Sequence, residues 1–395
     1  MDSNYKDGFS FPQSVLNDVE RMKNLFHKKW FFVGTRGDVP NPGNYFTFDL
    51  FDESYFIIQG LDGNIRAFIN RCAHQSARLV KDNYGKFLSK IVCQNHQWSY
   101  NINDGTLHKA SRMPNDFNSS TEATNCNLDL LQLREVSGLL FLCLGQDTDE
   151  KDIDRMYNVI SPYTDSFGLS QNKYKLAYHQ REIIDANWLI VMINNRECCH
   201  CAVNHKGLLK LFNDNSFNGS SDPKYIKIFD KAVKRWESKN LPWKEDAFNK
   251  HDATRIARYP LKENYKSTSF NGDPCSLKLI GPHKDYDEGT LSFWFNPNAW
   301  IHFTSDHIAT NWVLPLSQDK CAVYTSWIVH KDAIEDEDYT YHQMTDVWKV
   351  TNKEDVALCQ SMTNGSKSSY YKPGIFSEDE KHCRQFCNWY MNYSS

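Results

Sequence analysis

Cys72-Ala73-His74 and, after eighteen intervening residues, Cys93-Gln94-Asn95-His96 mark the stretch that decides how this sequence folds. Each pair follows an apolar run rich in β-branched residues, Ile65–Ile69 and Ile91-Val92, so both belong on loops at strand ends. Two thiols and two imidazoles in matched pairs can hold zinc. Against zinc, Cys-x-His is not the usual first half of a Cys₂His₂ finger, and no recognition helix follows His96. Trp98-Ser99-Tyr100 and an Asn103-Asp104-Gly105 turn come next, which is more β structure. Upstream, the short runs Trp30–Val33, Tyr45–Phe48, Tyr55–Gln59 and Ile65–Ile69 are separated by Gly, Pro, Asn and Asp, with Asp62-Gly63 as a hairpin turn. The reading is a small antiparallel β domain that closes near Leu139–Leu144.

The donor set fits a different metal group better. In a Rieske [2Fe–2S] centre two thiolates hold one iron and two imidazoles the other, and the neutral imidazoles raise the potential. Cys72, His74, Cys93 and His96 are the expected ligands.

A second constellation lies at Asn194-Asn195-Arg196-Glu197-Cys198-Cys199-His200-Cys201-Ala202-Val203-Asn204-His205. Glu197 and His200, three apart, share one side of a helix. His200 and His205, five apart, are roughly 140° apart round an ideal helix. They reach one metal only if the helix bends, bulges or ends there. Two histidines need a third ligand, and two histidines with one carboxylate favour non-haem iron(II). A zinc site from Cys198, Cys201 and His205 is the rival, and a helix with buried thiols is the plain alternative. Tyr339–Met362 carries Met344, Trp348, Thr351, Asp355, Leu358 and Met362 on one stripe. A carboxylate facing inward is costly unless paired or bound to metal, so Asp355 is the candidate third ligand.

The rest of the chain frames these sites. Residues 14–27 repeat apolar side chains as an amphipathic helix, and Lys224–Ser238 does the same. Residues 146–172, with Asp147, Asp149, Glu150, Asp152 and Asp154, read as a polar linker with a short helix. Strands dominate from Ser276: Ser276–Ile280, Leu291–Phe295, Trp300–Thr304, Ile308–Leu314 and Ala322–Val329, an antiparallel sheet covered on one face. The 395 residues divide into an N-terminal helical segment (1–28), a Rieske domain (29–146) and a mononuclear iron domain (147–395). A formal charge of -4 offers no basic footprint for nucleic acid or membrane. The start lacks the order of a signal peptide and no apolar run spans a bilayer, so a cytoplasmic location is expected. Twelve cysteines scattered through a long chain fit reduced thiols and metal ligands better than disulfides.

Together, the paired cluster motif, Glu-x-x-His-x4-His and a late helical Asp resemble the Rieske non-haem iron oxygenases over nearly the whole chain, residues 14 to 390. Asn194-Asn195-Arg196-Glu197-Cys198, His96-Gln97-Trp98-Ser99-Tyr100, Trp327-Ile328-Val329-His330-Lys331-Asp332-Ala333, Val347-Trp348-x-x-Thr351-Asn352-x-x-Asp355 and Gln385-Phe386-x-x-Trp389-Tyr390 resemble the group that oxidises quaternary amines: glycine betaine, carnitine and stachydrine. The resemblance implies an α+β chain, an antiparallel β Rieske domain followed by a helix-grip-like domain whose antiparallel sheet packs on a long helix. It implies His200, His205 and Asp355 as ligands of a mononuclear Fe(II). It further implies Glu197 as an electron bridge to His96 of a neighbouring subunit in a ring, typically a trimer.

The activity so implied is a monooxygenase using O₂ and electrons that NAD(P)H supplies through a separate flavin and iron–sulfur reductase. It would hydroxylate a carbon next to nitrogen in a small methylated amine, giving N-demethylation or C–N cleavage. Hydroxylation of a non-amine is the alternative, and an electron carrier without the mononuclear site the reading from another class. For substrate contacts, Phe293–Phe303 supplies rings. Trp300 and His302 share one face of their strand and Phe303 takes the other; these three and Cys199 are the candidates. Cys199 stands where the group usually carries tyrosine. Gln75-Ser76 replaces a common Arg-Gly, and Lys206-Gly207 a usual Pro-Glu.

Overall fold

The computed structural model describes residues 5–114, 116–145, 150–213, 223–244, 246–247, 254–281, 283–286 and 288–393. Its first sheet has seven strands in the order Phe31–Thr35, Leu139–Cys143, Leu130–Val136, Ile65–Ile69, Glu53–Gln59, Asn44–Leu50 and Tyr84–Lys86. A three-stranded sheet, Lys90–Val92, Ser99–Asn101 and Leu107–Lys109, sits beside it and has its own small core with Cys72, Cys93, Trp98 and Tyr100. The second large sheet also has seven strands, all antiparallel: Tyr174–Ile184, Lys320–His330, Ile308–Ser317, Ala299–Phe303, Thr290–Phe295, Arg255–Tyr259 and Asp246–Ala247. Helix Tyr341–Ser366 runs alongside helix Trp188–Asn194 and strand Tyr174–Ile184. The α+β class and the sheet-and-long-helix plan expected of the sequence are what form. Among the described residues no helix is long and apolar enough to cross a membrane.

Both large sheets drain into one core. Phe32 and Phe48 meet Trp312 edge-on at 6.4 and 5.7 Å, and Phe141 meets Phe295 at 4.6 Å. Phe31–Thr35 is an edge strand, a place where open backbone groups need cover. Asn298 covers it: its Oδ1 accepts from the Phe32 N–H at 3.0 Å, and its Nδ2 donates to the Phe32 carbonyl at 2.9 Å.

Four expectations need correction. The helix over residues 14–27 is two helices, Gln13–Leu16 and Val19–Lys28, because Asp18 caps the second by accepting from the Arg21 N–H at 2.9 Å. Within 146–172, Asp147 and Asp149 lie outside the described residues. The segment after them is no linker: Glu150–Thr164 is a helix of 15 residues that buries Ile153, Met156 and Ile160 in the shared core. Ser276–Ile280 is not a strand. The Cys275 and Ser276 N–H groups donate instead to Asp306 Oδ2 at 2.7 and 3.1 Å, the Leu277 N–H to the Asp338 carbonyl and the Ile280 N–H to the Ser305 carbonyl, partners that form no ladder. The buried stripe of helix Tyr341–Ser366 continues past Asp355 through Cys359 and Thr363, while Met362 is exposed.

Candidate functional site

Asn187 starts the helix that leads into the Glu197–His205 stretch. Its Oδ1 accepts from the Leu189 N–H at 3.0 Å, and Trp188, Leu189 and Met192 are fully buried beneath it. The helix ends at Asn194. A turn carries residues 195–200, and a short helix, Cys201–Asn204, delivers His205. Ending the helix is what lets the two histidines meet: His200 Nε2 and His205 Nε2 are 3.1 Å apart. Asp355, from the long helix, places Oδ1 at 3.0 Å from His205 Nε2 and 3.3 Å from His200 Nε2. Donors that bind one ion at right angles at ~2.1 Å stand ~3 Å from each other. The trio has that spacing.

The atoms behind the trio match a metal site as well. His200 Nδ1 donates to Glu197 Oε1 at 2.5 Å and His205 Nδ1 to Glu354 Oε2 at 2.8 Å, which leaves both Nε2 lone pairs facing the gap. Asn194 Nδ2 donates to Asp355 Oδ1 at 2.7 Å. Burial alone would lower the His200 imidazole, but Asp355 and Glu197 outweigh it and push it up to about 9; His205 is raised in the same way. So much negative charge round two imidazoles suits a cation between them. Cys201 lies within 4.8 Å of both imidazoles, but it is disulfide-bonded to Cys198. That bond corrects the expectation of reduced thiols throughout and removes the zinc alternative. The other ten cysteines form no disulfide.

In the first domain the two motif loops have one shape. Ser76 N–H donates to the Cys72 carbonyl and Gln97 N–H to the Cys93 carbonyl, and the residues Ser76 and Gln97 both have positive φ, 55° and 61°. Both thiols are buried and the Cys72 Sγ lies 3.1 Å from the Tyr100 hydroxyl. His74 and His96 stand at the tip with ring centroids 4.7 Å apart, and His74 stacks on Trp98 at 4.6 Å. His74 Nδ1 is buried with no partner. Two inner thiols, two outer imidazoles and an orphaned ring nitrogen fit the donor set of a [2Fe–2S] group, which these four residues would hold.

The His200–His205–Asp355 trio opens into a cavity between the long helix and the second sheet. Trp300 and His302 line it, as do Trp294 and Trp348. His302 stacks on Trp348 at 4.4 Å with 6° between planes and bonds to Ser292 Oγ at 2.8 Å through Nδ1. Burial, then His307, pushes His302 down to about 3, so it is a neutral ring. Trp348 and Asn195 line the cavity too, and Trp348 Nε1 and Asn195 Oδ1 are each buried without a hydrogen-bond partner.

Two sequence candidates fall elsewhere. Phe303 turns to the other face of its strand and packs on Phe167 at 4.9 Å and Phe293 at 5.5 Å. The exposed Cys199 is not among the residues that line the cavity; its N–H donates to Glu197 Oε2. Sequence reasoning missed Arg255, which sits on a fully buried strand too short for its periodicity to register, and it gave Arg196 no role although both line the cavity. It also missed Glu354, whose only signal was its place beside Asp355.

Residues 164–395 match the ring hydroxylating alpha subunit (catalytic domain), and residues 29–126 the Rieske [2Fe-2S] domain. The chain is 31% identical over 391 residues to the glycine betaine monooxygenase oxygenase subunit of Pseudomonas aeruginosa (strain UCBPP-PA14), covering 97% of this chain and 88% of that one. It is 32% identical over 392 residues to the subunit of the same name from Chromohalobacter salexigens, covering 97% and 85%. The fold is similar to that of a quaternary ammonium Rieske monooxygenase described in connection with carnitine oxidation by gut microbiota and inter-subunit electron transfer. That match has a TM-score of 0.69 at 19% identity, over 97% of this chain and 94% of that one.

Proposed function

Because the chain belongs to the Rieske ring-hydroxylating oxygenases as their alpha subunit, we propose that it hydroxylates an N-methyl carbon of a small betaine, with glycine betaine the leading candidate. One O₂, two electrons and two protons convert the N–CH₃ group to N–CH₂OH and water. The carbinol then releases formaldehyde and the demethylated amine. When bound, the mononuclear iron activates O₂ and the Rieske cluster relays electrons to it.

The chain's residues prepare that chemistry. His200, His205 and Asp355 would hold the iron, and Cys72, His74, Cys93 and His96 the cluster. Glu354 and Glu197 keep a proton on each Nδ1, so each Nε2 stays a donor. Asn194 fixes the carboxylate. Trp300, His302 and Trp348 hold a methylated nitrogen against aromatic faces, because a permanent cation has no N–H to donate. Neutral His302 adds no repulsion. Family members work with a separate reductase and as oligomers. We take the reductase to be a flavin and iron–sulfur protein and the oligomer a trimer, with Glu197 passing electrons from His96 of a neighbouring subunit.

The observation that carries this reading is similarity along the full length to glycine betaine oxygenases together with a donor trio that opens on an aromatic wall. The test is a panel of glycine betaine, carnitine, stachydrine, choline and uncharged isosteres, given to the holoenzyme with a compatible reductase. Formaldehyde or demethylated amine that depends on a betaine is expected. Oxidation of an uncharged isostere at an equal or higher rate sinks the amine reading and leaves the oxygenase assignment standing.

A further inference from the structure

Cys198-Cys199-His200-Cys201 sets a pair of thiols across one of the donor histidines, and the proposed chemistry gives that pair no part. Cys198 and Cys201 are joined as a disulfide between residues three apart. Both line the cavity beside the trio, at 6% and 3% exposure, so a small redox reagent that enters the cavity meets the bond. The Cys201 N–H donates to the Cys198 carbonyl at 3.1 Å, and the His205 N–H donates to the Cys201 carbonyl at 2.9 Å. Cys201 is thus the backbone link between the turn that carries His200 and the helix end that carries His205. Its sulfur and a ring nitrogen from each histidine lie within 4.8 Å of one another.

Fold stability is a weak reason for this bond, because a crosslink stabilises less the shorter the loop it closes. What the bond does is occupy the Cys201 sulfur. A thiolate beside two imidazoles is a zinc-type donor set. Soft thiolate ligands favour zinc, whereas two histidines and a carboxylate with open positions favour iron(II). While the sulfur is tied to Cys198, His200, His205 and Asp355 are left as the second kind of set. Sulfur and nitrogen donors on one tetrahedral zinc stand about 3.6 Å apart. The Cys201 sulfur already lies within 4.8 Å of both imidazoles, so once released it is close enough to join them.

We propose that Cys198–Cys201 is a redox gate on the choice of metal. The disulfide keeps Cys201 out of the site, which then suits iron. The dithiol admits Cys201 as a fourth ligand, which favours zinc and closes a position that O₂ needs. This rests on the assignment of His200, His205 and Asp355 as the metal donors. Opening takes two electrons and two protons from a dithiol reductant, which is left as a disulfide; one S–S bond breaks and two S–H bonds form. Closing passes those electrons and protons to hydrogen peroxide, which becomes two molecules of water. Binding of a metal by Cys201 releases its thiol proton to solvent.

The test uses the full chain with its cluster intact and the mononuclear site emptied by a chelator, then loaded with cobalt(II). A cobalt–thiolate bond gives a charge-transfer band in the near ultraviolet, read as the difference between spectra with and without cobalt. Untreated wild type should bind cobalt without the band. Wild type reduced anaerobically with a phosphine, which is then removed, should gain it. Cys198→Ser and Cys201→Ser abolish the same disulfide and are expected to diverge. Cys198→Ser leaves the Cys201 thiol free, so it should show the band without reductant and raise the ratio of zinc to iron affinity roughly tenfold or more. Cys201→Ser should show no band, keep the wild-type ratio and ignore the reductant. A bond that only held the turn would make the two variants alike, and that result overturns the proposal. So does reduced wild type in which thiol titration finds the pair open and no band appears. Should Cys198→Ser not fold, judged by the cluster spectrum, reduced wild type decides; should the phosphine not open the bond, Cys198→Ser decides. Untreated wild type that binds no cobalt refutes the donor trio itself, and the gate falls with it.

Discussion

Glu197 spends both carboxylate oxygens locally, one on His200 Nδ1 and one on the Cys199 N–H. Burial would raise it, and the His200 bond more than reverses that, so it is held ionised. Glu197→Gln keeps the shape and removes the charge. It is expected to retain iron and a reducible cluster yet lose turnover by 10- to 100-fold, the usual range for a residue behind a metal ligand. Iron analysis and single-turnover kinetics check this, and normal turnover would end the bridge role. Three further imidazoles, His283, His302 and His382, are each pushed down to about 3, first of all by burial. Unfolded histidine takes up a proton near pH 6.5, so stability is full above that and falls as the pH drops towards 3. Each contributes a slope of about 1.4 kcal/mol per pH unit in that window. His283 Nδ1 has no partner, so His283→Leu is the gentlest probe. Between pH 6 and 4 its stability, from denaturant unfolding, should change with pH less steeply than the wild type by one proton. At this scale the sequence named His200, His205 and Asp355 as candidate metal donors and the structure brings the three together, because coordination chemistry narrows the residue types to look for. Arg255 could not be read, because a lone arginine in a short strand has no partner in sequence to signal its place on the cavity wall.

At the scale of elements, legibility followed how much of an element's reason lies within it. Strands Thr290–Phe295 to Lys320–His330 were plain, because β-branched and aromatic runs bounded by turns state their own case. Ser276-Leu277-Lys278-Leu279-Ile280 only alternates polar and apolar residues as a strand does, and its start is claimed by Asp306, thirty residues on, which no local pattern announces. Helix Tyr341–Ser366 was placed within a few residues, yet its buried stripe drifts to Cys359 and Thr363 as it passes the iron helix. Asn187 is another case of distant partners. Besides capping its helix, its Nδ2 donates to the carbonyls of Leu16 and Gln318, and its N–H to Thr363 Oγ1. One residue thus ties this helix to three distant segments, and none of those partners is visible from sequence.

For the whole molecule, the decisive feature is the core that both large sheets share. Asn298 and Phe32 exchange two hydrogen bonds across it, and Arg181 pairs with Asp49 at 2.7 Å at its margin. Asn298→Ala leaves a fully buried Phe32 N–H and carbonyl without those partners, which should cost about 2–4 kcal/mol. The expectation is that both domains lose that stability together. Cluster absorbance follows one domain and tryptophan fluorescence the other, and in the wild type and the variant the two denaturation curves should coincide. Separate midpoints in the wild type would show that the core does not bind them. Packing of this kind also decides how electrons can travel. A domain fixed by aromatic rings on its neighbour cannot swing its cluster out to a docking partner and back, as a tethered carrier does. Current must instead cross by tunnelling through stationary protein, over gaps fixed at assembly. A thickened solvent that slows diffusing or swinging carriers would leave this internal hop at its original speed.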